Sequence, residues 1–281
     1  MSWLAILALL CFAANSILAR LALRAGEIDA ASFTAIRLAS GALVLWLALQ
    51  VRGARLRLTG PGRWIGAVLL FLYAAPFAFA YLELSAGMGA LVLFAAVQLT
   101  MIGAGILSGE RPTGLEWLGL AAALAGVVYL DLPGLSAPAP LGAALMAIAG
   151  IAWGLYSLRG RGAVAPLAET AVAFLLATPL GLLLGAVNSA RAHGSAIGIA
   201  CAVASGALAS GGGYAAWYGV LPRLSATRAG TIQLAVPVLA ALAGVLLLGE
   251  RVTTRLVVSS IAILGGVGLA ISSRASRVTS R

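Results

Sequence analysis

Tyr214, Trp217 and Tyr218 recur at i, i+3 and i+4, and Trp153 and Tyr156 at i and i+3. These spacings gather each group on one helix face. Aromatic faces of this kind hold flat or apolar groups by stacking and apolar contact. Three amides, Asn15, Gln98 and Gln233, stand inside apolar runs, where an unsatisfied polar group costs several kcal/mol in lipid. Together with Tyr81 and Phe94, these residues form a candidate small-molecule site: rings for an apolar side chain, amides for a zwitterionic head. The competing use of the same residues is as an interfacial aromatic belt or as packing between helices. Arg37, about five residues into its apolar run, could grip a carboxylate. It could equally reach the interface or tie backbone carbonyls together, and the structural use is the preferred one. Glu110 and Glu250 each close an apolar run, where pairing with Arg111 or Arg251, or capping of the next helix, gives them anchoring roles. Pro237 is a candidate bend or gating point.

Other chemistry is missing from the chain. All 18 basic residues are arginine, so a Walker-type phosphate loop, a pyridoxal Schiff base and a lysine nucleophile are excluded. Cys11 and Cys201 lie in apolar runs without disulfide or metal spacing. The single histidine, His193, falls in a loop beside Arg191. No carboxylate sits in the middle of an apolar run, so neither a catalytic dyad nor a dedicated proton relay is visible. The sequence reads as a non-enzyme with no metal and no cofactor.

The elements that must position these side chains follow from composition. Of 281 residues, 62% are hydrophobic and 9% charged, against about a quarter charged in soluble domains. Breaking the chain at charges, prolines and turn residues leaves ten apolar segments, at about 3 to 20, 31 to 51, 64 to 83, 86 to 108, 115 to 131, 140 to 158, 166 to 187, 195 to 218, 226 to 248 and 255 to 272. Each is near the roughly 20 residues that cross a bilayer. The first follows no positive n-region and reads as a membrane helix rather than a signal peptide. The connections are too short to hold a soluble catalytic or ATP-hydrolysing domain.

With both termini cytoplasmic, the inner segments hold Arg52, Arg55, Arg57, Arg63, Arg111, Arg159, Arg161, Arg223, Arg228, Arg274, Arg277 and Arg281. The outer ones hold only Arg20, Arg24, Arg191, Arg251 and Arg255. The positive-inside rule therefore predicts cytoplasmic termini. The net charge of +10 is a topology signal rather than a nucleic-acid footprint, because no basic stripe is interleaved with exposed aromatics.

Leu84-Ser85-Ala86 leading to Gly109-Glu110-Arg111 reappears as Leu224-Ser225-Ala226 leading to Gly249-Glu250-Arg251, and Thr113, Leu124 and Gly126 reappear as Thr253, Leu264 and Gly266. The constant offset, near half the length, predicts two five-helix units, 1–137 and 138–281. An odd number of crossings inverts the second copy. The expected fold is an all-α integral membrane protein of ten transmembrane helices in two inverted repeats, the geometry of alternating-access carriers.

Two such halves, each with an apolar helix ending in Gly-Glu and a following helix with Ala125-Gly126-Val127 or Gly265-Gly266-Val267, resemble the EamA-type drug/metabolite transporter superfamily. Arg37 and the Ala152-Trp153-Gly154 opening of the second half also fit. Gly213-Tyr214-Ala215-Ala216-Trp217 is similar to the eighth helix of the YddG-type bacterial exporters of aromatic and neutral amino acids. One departure is Val97, where the superfamily often has a proline like Pro237. The resemblance implies an alternating-access exporter, working as a monomer in the bacterial cytoplasmic membrane, with a cavity lined by helices one, three, four, six, eight and nine. Its expected partners are the bilayer and a neutral or aromatic amino acid or related metabolite, with no nucleic acid. Efflux of lipophilic cations and a passive channel are the alternatives, and both facilitated export and proton antiport remain open.

Overall fold

The computed structural model describes residues 3–53, 56, 62–108, 113–131, 139–161, 163–221, 233 and 235–278. Among them the long elements are all helical: α1 (Trp3–Arg24), α2 (Ala30–Val51), α3 (Arg63–Ala80), α4 (Ala86–Leu107), α5 (Gly114–Asp131), α6 (Pro140–Arg161), α7 (Pro166–Val187), α8 (Ala196–Val220), α9 (Ala235–Leu248) and α10 (Thr254–Val278). Seven of these, α1 to α4 and α6 to α8, are long and apolar enough to cross a membrane. The protein is an all-helical membrane protein.

The helices start where the sequence supplies caps. Asp29, Ser85 and Ser195 each accept a hydrogen bond from the backbone N–H three residues on, and α2, α4 and α8 begin there. Large aliphatic and aromatic side chains such as Trp3, Leu43, Leu182 and Ile261 stay exposed, which suits a surface solvated by lipid. Small residues and rings turn inward. Gly41 receives the Phe174 ring, and Gly206 lies directly on the Arg37 carbonyl, so α2 packs at close range against both α7 and α8.

Two local features depart from the sequence reading. α1 continues four residues beyond the expected end at Arg20, which is only 7% exposed. The reason is a partner far along the chain, Glu250, described below. α8 is not a uniform α-helix: Ser205–Gly212 winds as a π-helix between two α-helical arms. The wider turn brings both Ser205 and Ser210 to the buried side.

Helix pairing follows a regular scheme. α2 packs on α7, α5 on α10 and α4 on α9. α3 lies on α6 as α1 lies on α8; α4 lies on α6 as α9 lies on α1; α3 lies on α7 as α2 lies on α8. The buried aromatic and polar side chains collect where α1, α2, α3, α6, α7 and α8 meet.

Candidate functional site

At that meeting point the rings form one continuous cluster. The Trp153 centroid lies 4.7 Å from Tyr214, 5.2 Å from Tyr73, 5.5 Å from Phe12 and 5.8 Å from Tyr156. Phe12 also meets Trp217 edge-on, Phe174 tilts against Tyr214, and Tyr156 meets Tyr218. Trp153, Tyr156, Tyr214, Trp217 and Tyr218 are thus brought together as the helical spacing implied. The gathering needs two helices: α6 places its pair and α8 its triplet just after the π-helical stretch.

The cluster is packed ring on ring. A hollow of about 30 Å³ lies at one edge, lined by Tyr156, Tyr218, Arg63, Arg159, Glu169 and Thr170 among others. That is room for about one water. A larger space of about 620 Å³ runs between α4 and α6, lined by Val92, Ala95, Ala96, Leu99 and Thr100 and by Pro140, Ala143, Ala144, Ala147 and Ile151. Its one polar side chain, Thr100, spends its hydroxyl on the Ala96 carbonyl. Such a groove suits an acyl chain and has nothing with which to orient a polar solute.

The amides are occupied by the protein itself. Asn15 donates from Nδ2 to Ser210 Oγ at 3.2 Å and accepts from Ser205 Oγ at 2.6 Å, so it ties α1 to the π-helical part of α8. Trp153 Nε1 donates to Gln233 Oε1 at 3.0 Å. Gln98 and Phe94 are buried on α4. Among the described residues, Phe94 makes none of the cluster's ring contacts. α2 and α7, absent from the expected set, contribute Arg37 and Phe174.

Arg37 lies inside the cluster, 1% exposed. Its Nε donates to Ser210 Oγ at 3.1 Å and its Nη2 to the Tyr73 hydroxyl at 3.0 Å. The Tyr73 and Phe77 ring centroids lie 4.9 and 4.7 Å from the guanidinium carbon. It reaches neither the interface nor backbone carbonyls, the two supports expected for it.

Tyr81 lies away from the cluster, at the end of the bundle where α4 begins. Its ring rests on Phe77 and on Gly89, its carbonyl accepts from Arg20 Nη1 at 2.8 Å, and its hydroxyl donates to the Ala86 carbonyl. Glu250 reaches the same place. Its carboxylate accepts the Ala86 N–H at 2.9 and 3.0 Å and pairs with Arg20 Nε at 3.4 Å. Glu250 therefore caps α4 and neutralises Arg20, in place of Arg251 or the start of the following helix. Arg20 and Ser210 were missed as functional neighbours: Arg20 reads as a helix-ending charge, and nothing in a run of small residues announces a π-helical turn. Pro237 is buried in the described part of α9. Glu110 lies outside the described residues. Groups of three or more histidine, cysteine or acidic side chains able to hold a metal are absent among the described residues.

At the outer edge of this same end, the carboxyl of Asp29 caps α2 through Ser32 N–H and accepts the His193 N–H at 3.1 Å. Burial pushes this carboxyl up, but the hydrogen bonds from Ser32 and His193 outweigh it and hold it below the usual carboxylate range.

Comparison with known proteins places these features in context. The profile of the EamA-like transporter family matches residues 1–130 and again 140–272. An uncharacterized protein of Pseudomonas aeruginosa is 50% identical over 98% of this chain and 95% of its own length. The threonine/homoserine exporter RhtA of Salmonella typhimurium is 32% identical over 80% of this chain and 76% of its own. An uncharacterized transporter of Archaeoglobus fulgidus is 31% identical over 68% and 70%. A solved crystal structure superposes with a TM-score of 0.70 at 23% identity, covering 96% of this chain and 98% of that one; this likeness is one of fold.

Proposed function

The chain belongs to the EamA-like transporter family and is a membrane transporter of small molecules rather than an enzyme; from that premise we propose that it exports neutral or aromatic amino acids, or related small metabolites, by alternating access. The observation that carries the reading is the buried cluster of Trp153, Tyr156, Tyr214, Trp217 and Tyr218 around a single arginine. It is a place for an apolar side chain to replace ring-on-ring contacts.

In this reading, residues 1–137 and 138–281 are inverted five-helix halves of a ten-helix monomer in the bacterial cytoplasmic membrane, with both termini inside. The repeated Gly-Glu-Arg and the pairing scheme support it: exchanging each helix for the one five places along carries each pairing named above onto itself or onto another observed pairing. The exporter named among the relatives supports the direction of transport. Asn15 and Gln233 then act as braces of the site that a substrate head would have to displace. Arg37 disfavours lipophilic cations as cargo, because a buried positive charge repels them with little screening.

Counterflow in proteoliposomes tests the proposal. Unlabelled internal phenylalanine is expected to accelerate uptake of labelled phenylalanine, a result not given by a pore. Trp153→Ala with Trp217→Ala is expected to abolish it; transport and affinity unchanged in that double variant would remove the aromatic site from the mechanism.

A further inference from the structure

Among the described residues two arginines are buried, Arg20 and Arg37, and they are treated differently. Arg20 has a carboxylate at 3.4 Å. Arg37, more deeply buried, has two neutral hydroxyl partners and two rings, and its Nη1 is enclosed without a hydrogen-bond partner. A guanidinium does not escape by losing its proton, so an enclosed N–H group without a partner of normal geometry carries a desolvation cost.

Among the described residues, no acid is placed to relieve it. All eight stand at or beyond helix ends in the sequence. Of those with described side chains, Glu27, Asp29, Glu83 and Glu250 belong to one end of the bundle and Glu169 to the other, and Glu250 is committed to Arg20 and Ala86. Beside Arg37 lies a second donor in the same condition. The Tyr214 hydroxyl adjoins Arg37 and Tyr73 and is buried without a hydrogen-bond partner of normal geometry. A fixed cation and a hydroxyl, both with donor capacity unspent and both ringed by aromatics, are the complement of a carboxylate on an apolar body.

Two amide oxygens of the site are already engaged. Asn15 Oδ1 takes Ser205, and Gln233 Oε1 takes Trp153. The small hollow at the cluster's edge points the same way, since Arg63 and Arg159 outnumber Glu169 in its lining and raise the local concentration of anions.

We propose that Arg37, with the Tyr214 hydroxyl, anchors the substrate carboxylate, and that the site takes apolar monocarboxylates whose α-amino group is dispensable. This rests on the transporter reading of the same cluster and narrows its substrate class.

The test uses the full chain in lipid nanodiscs, with calorimetric titration of three ligands that share a phenyl ring. Phenylalanine has both head groups, 3-phenylpropionate lacks the amine, and phenethylamine lacks the carboxylate. 3-Phenylpropionate is expected to bind within about threefold of phenylalanine or tighter, and phenethylamine at least roughly tenfold more weakly, the scale of a hydrogen bond to a charged group. Arg37→Gln is expected to weaken both acids by about tenfold or more, with Arg37→Lys restoring part of the affinity. Tyr214→Phe, which removes only a hydroxyl, weakens both acids severalfold, leaves phenethylamine unchanged, and carries the test if Arg37→Gln fails to fold. Phenethylamine binding as tightly as phenylalanine overturns the carboxylate anchor and leaves the exporter reading standing. Phenylalanine binding with 3-phenylpropionate more than tenfold weaker overturns the dispensable amine. Binding by none of the three overturns the anchor and the aromatic site together.

Discussion

Each end of the aromatic core is closed by a tyrosine laid on a glycine. At one end Tyr81 covers Gly89; at the other Tyr218 covers Gly160. The plugs are alike in shape and unlike in what holds them. Tyr81 spends its hydroxyl on Ala86 and its carbonyl on Arg20, which is itself fixed by Glu250. The Tyr218 hydroxyl adjoins Tyr156 but is buried without a hydrogen-bond partner of normal geometry, and its ring borders the 30 Å³ hollow between Arg63, Arg159 and Glu169. A closure made of rings opens by a change of side-chain rotamer, whereas one stapled by an ion pair and a helix cap opens only when those bonds break. By this contrast the Arg159 end is the less firmly held of the two in this conformation and the Glu250 end the more firmly held.

The largest effect expected from breaking this contrast comes at Glu250. The side chains of Arg20 and Glu250 are 8% and 7% exposed. Glu250→Ala therefore leaves a buried unpaired arginine and an uncapped Ala86 N–H. Losing one partner of such a pair costs about 3–5 kcal/mol, which should lower the melting temperature in detergent by many degrees. The double variant Arg20→Leu/Glu250→Leu removes both charges and is expected to lose much less than Glu250→Ala alone. A double variant as unstable as the single one would show that the cap on α4, not the ion pair, holds this end.

A matched pair of glycine substitutions sharpens the comparison at a smaller scale. A Cβ at Gly89 or at Gly160 would meet a tyrosine ring edge. At Gly89 the ring is tied down, so Gly89→Ala is expected to cost about 1–3 kcal/mol as overpacking with no gain in access. At Gly160 the Tyr218 ring has a hollow to move into. Gly160→Ala should cost less than Gly89→Ala and should speed maleimide labelling of a cysteine placed at Thr170, which lines that hollow. The reverse order of costs would mean that the two closures are equally rigid.

The contrast also marks what the sequence could and could not disclose. Apolar runs punctuated by Asp29, Ser85, Ser195 and short arginine-bearing turns are local signals, and the described helices begin and end within a few residues of them, the exceptions being α1, α9, whose described part starts at Ala235, and α10, which runs on to Val278. The i, i+3, i+4 ring faces on α6 and α8 are equally local, and their convergence was legible. Arg20 with Glu250, and Arg37 with Ser210, were not, since each joins residues more than 170 positions apart. Neither pairing leaves a mark in a window of 20 residues. The same holds for Tyr81, which on its helix resembles Tyr73 but belongs to the closure rather than the cluster, and for Asn15, whose bonding capacity is used by two serines on α8.

The smallest expected effect lies at the rim of the Glu250 end, where Asp29 joins α2 to the segment before α8. Its carboxyl is held below the usual range by the Ser32 and His193 hydrogen bonds. A lowered folded-state value means that the stabilisation is fully present above the unfolded value, about 3.9 for aspartate, and is lost as pH falls through the lower folded value. Asp29→Ala is expected to cost about 1 kcal/mol at neutral pH, the usual worth of a helix cap. The gap in melting temperature between wild type and variant should stay constant from pH 7 to about 5 and close below about 4. Since Asp29→Asn keeps the cap without the charge, its own gap should be small throughout. A gap that widened on acidification would mean that this carboxyl is held in its protonated form, and would remove the electrostatic difference between the rim of the Glu250 end and the opposite mouth.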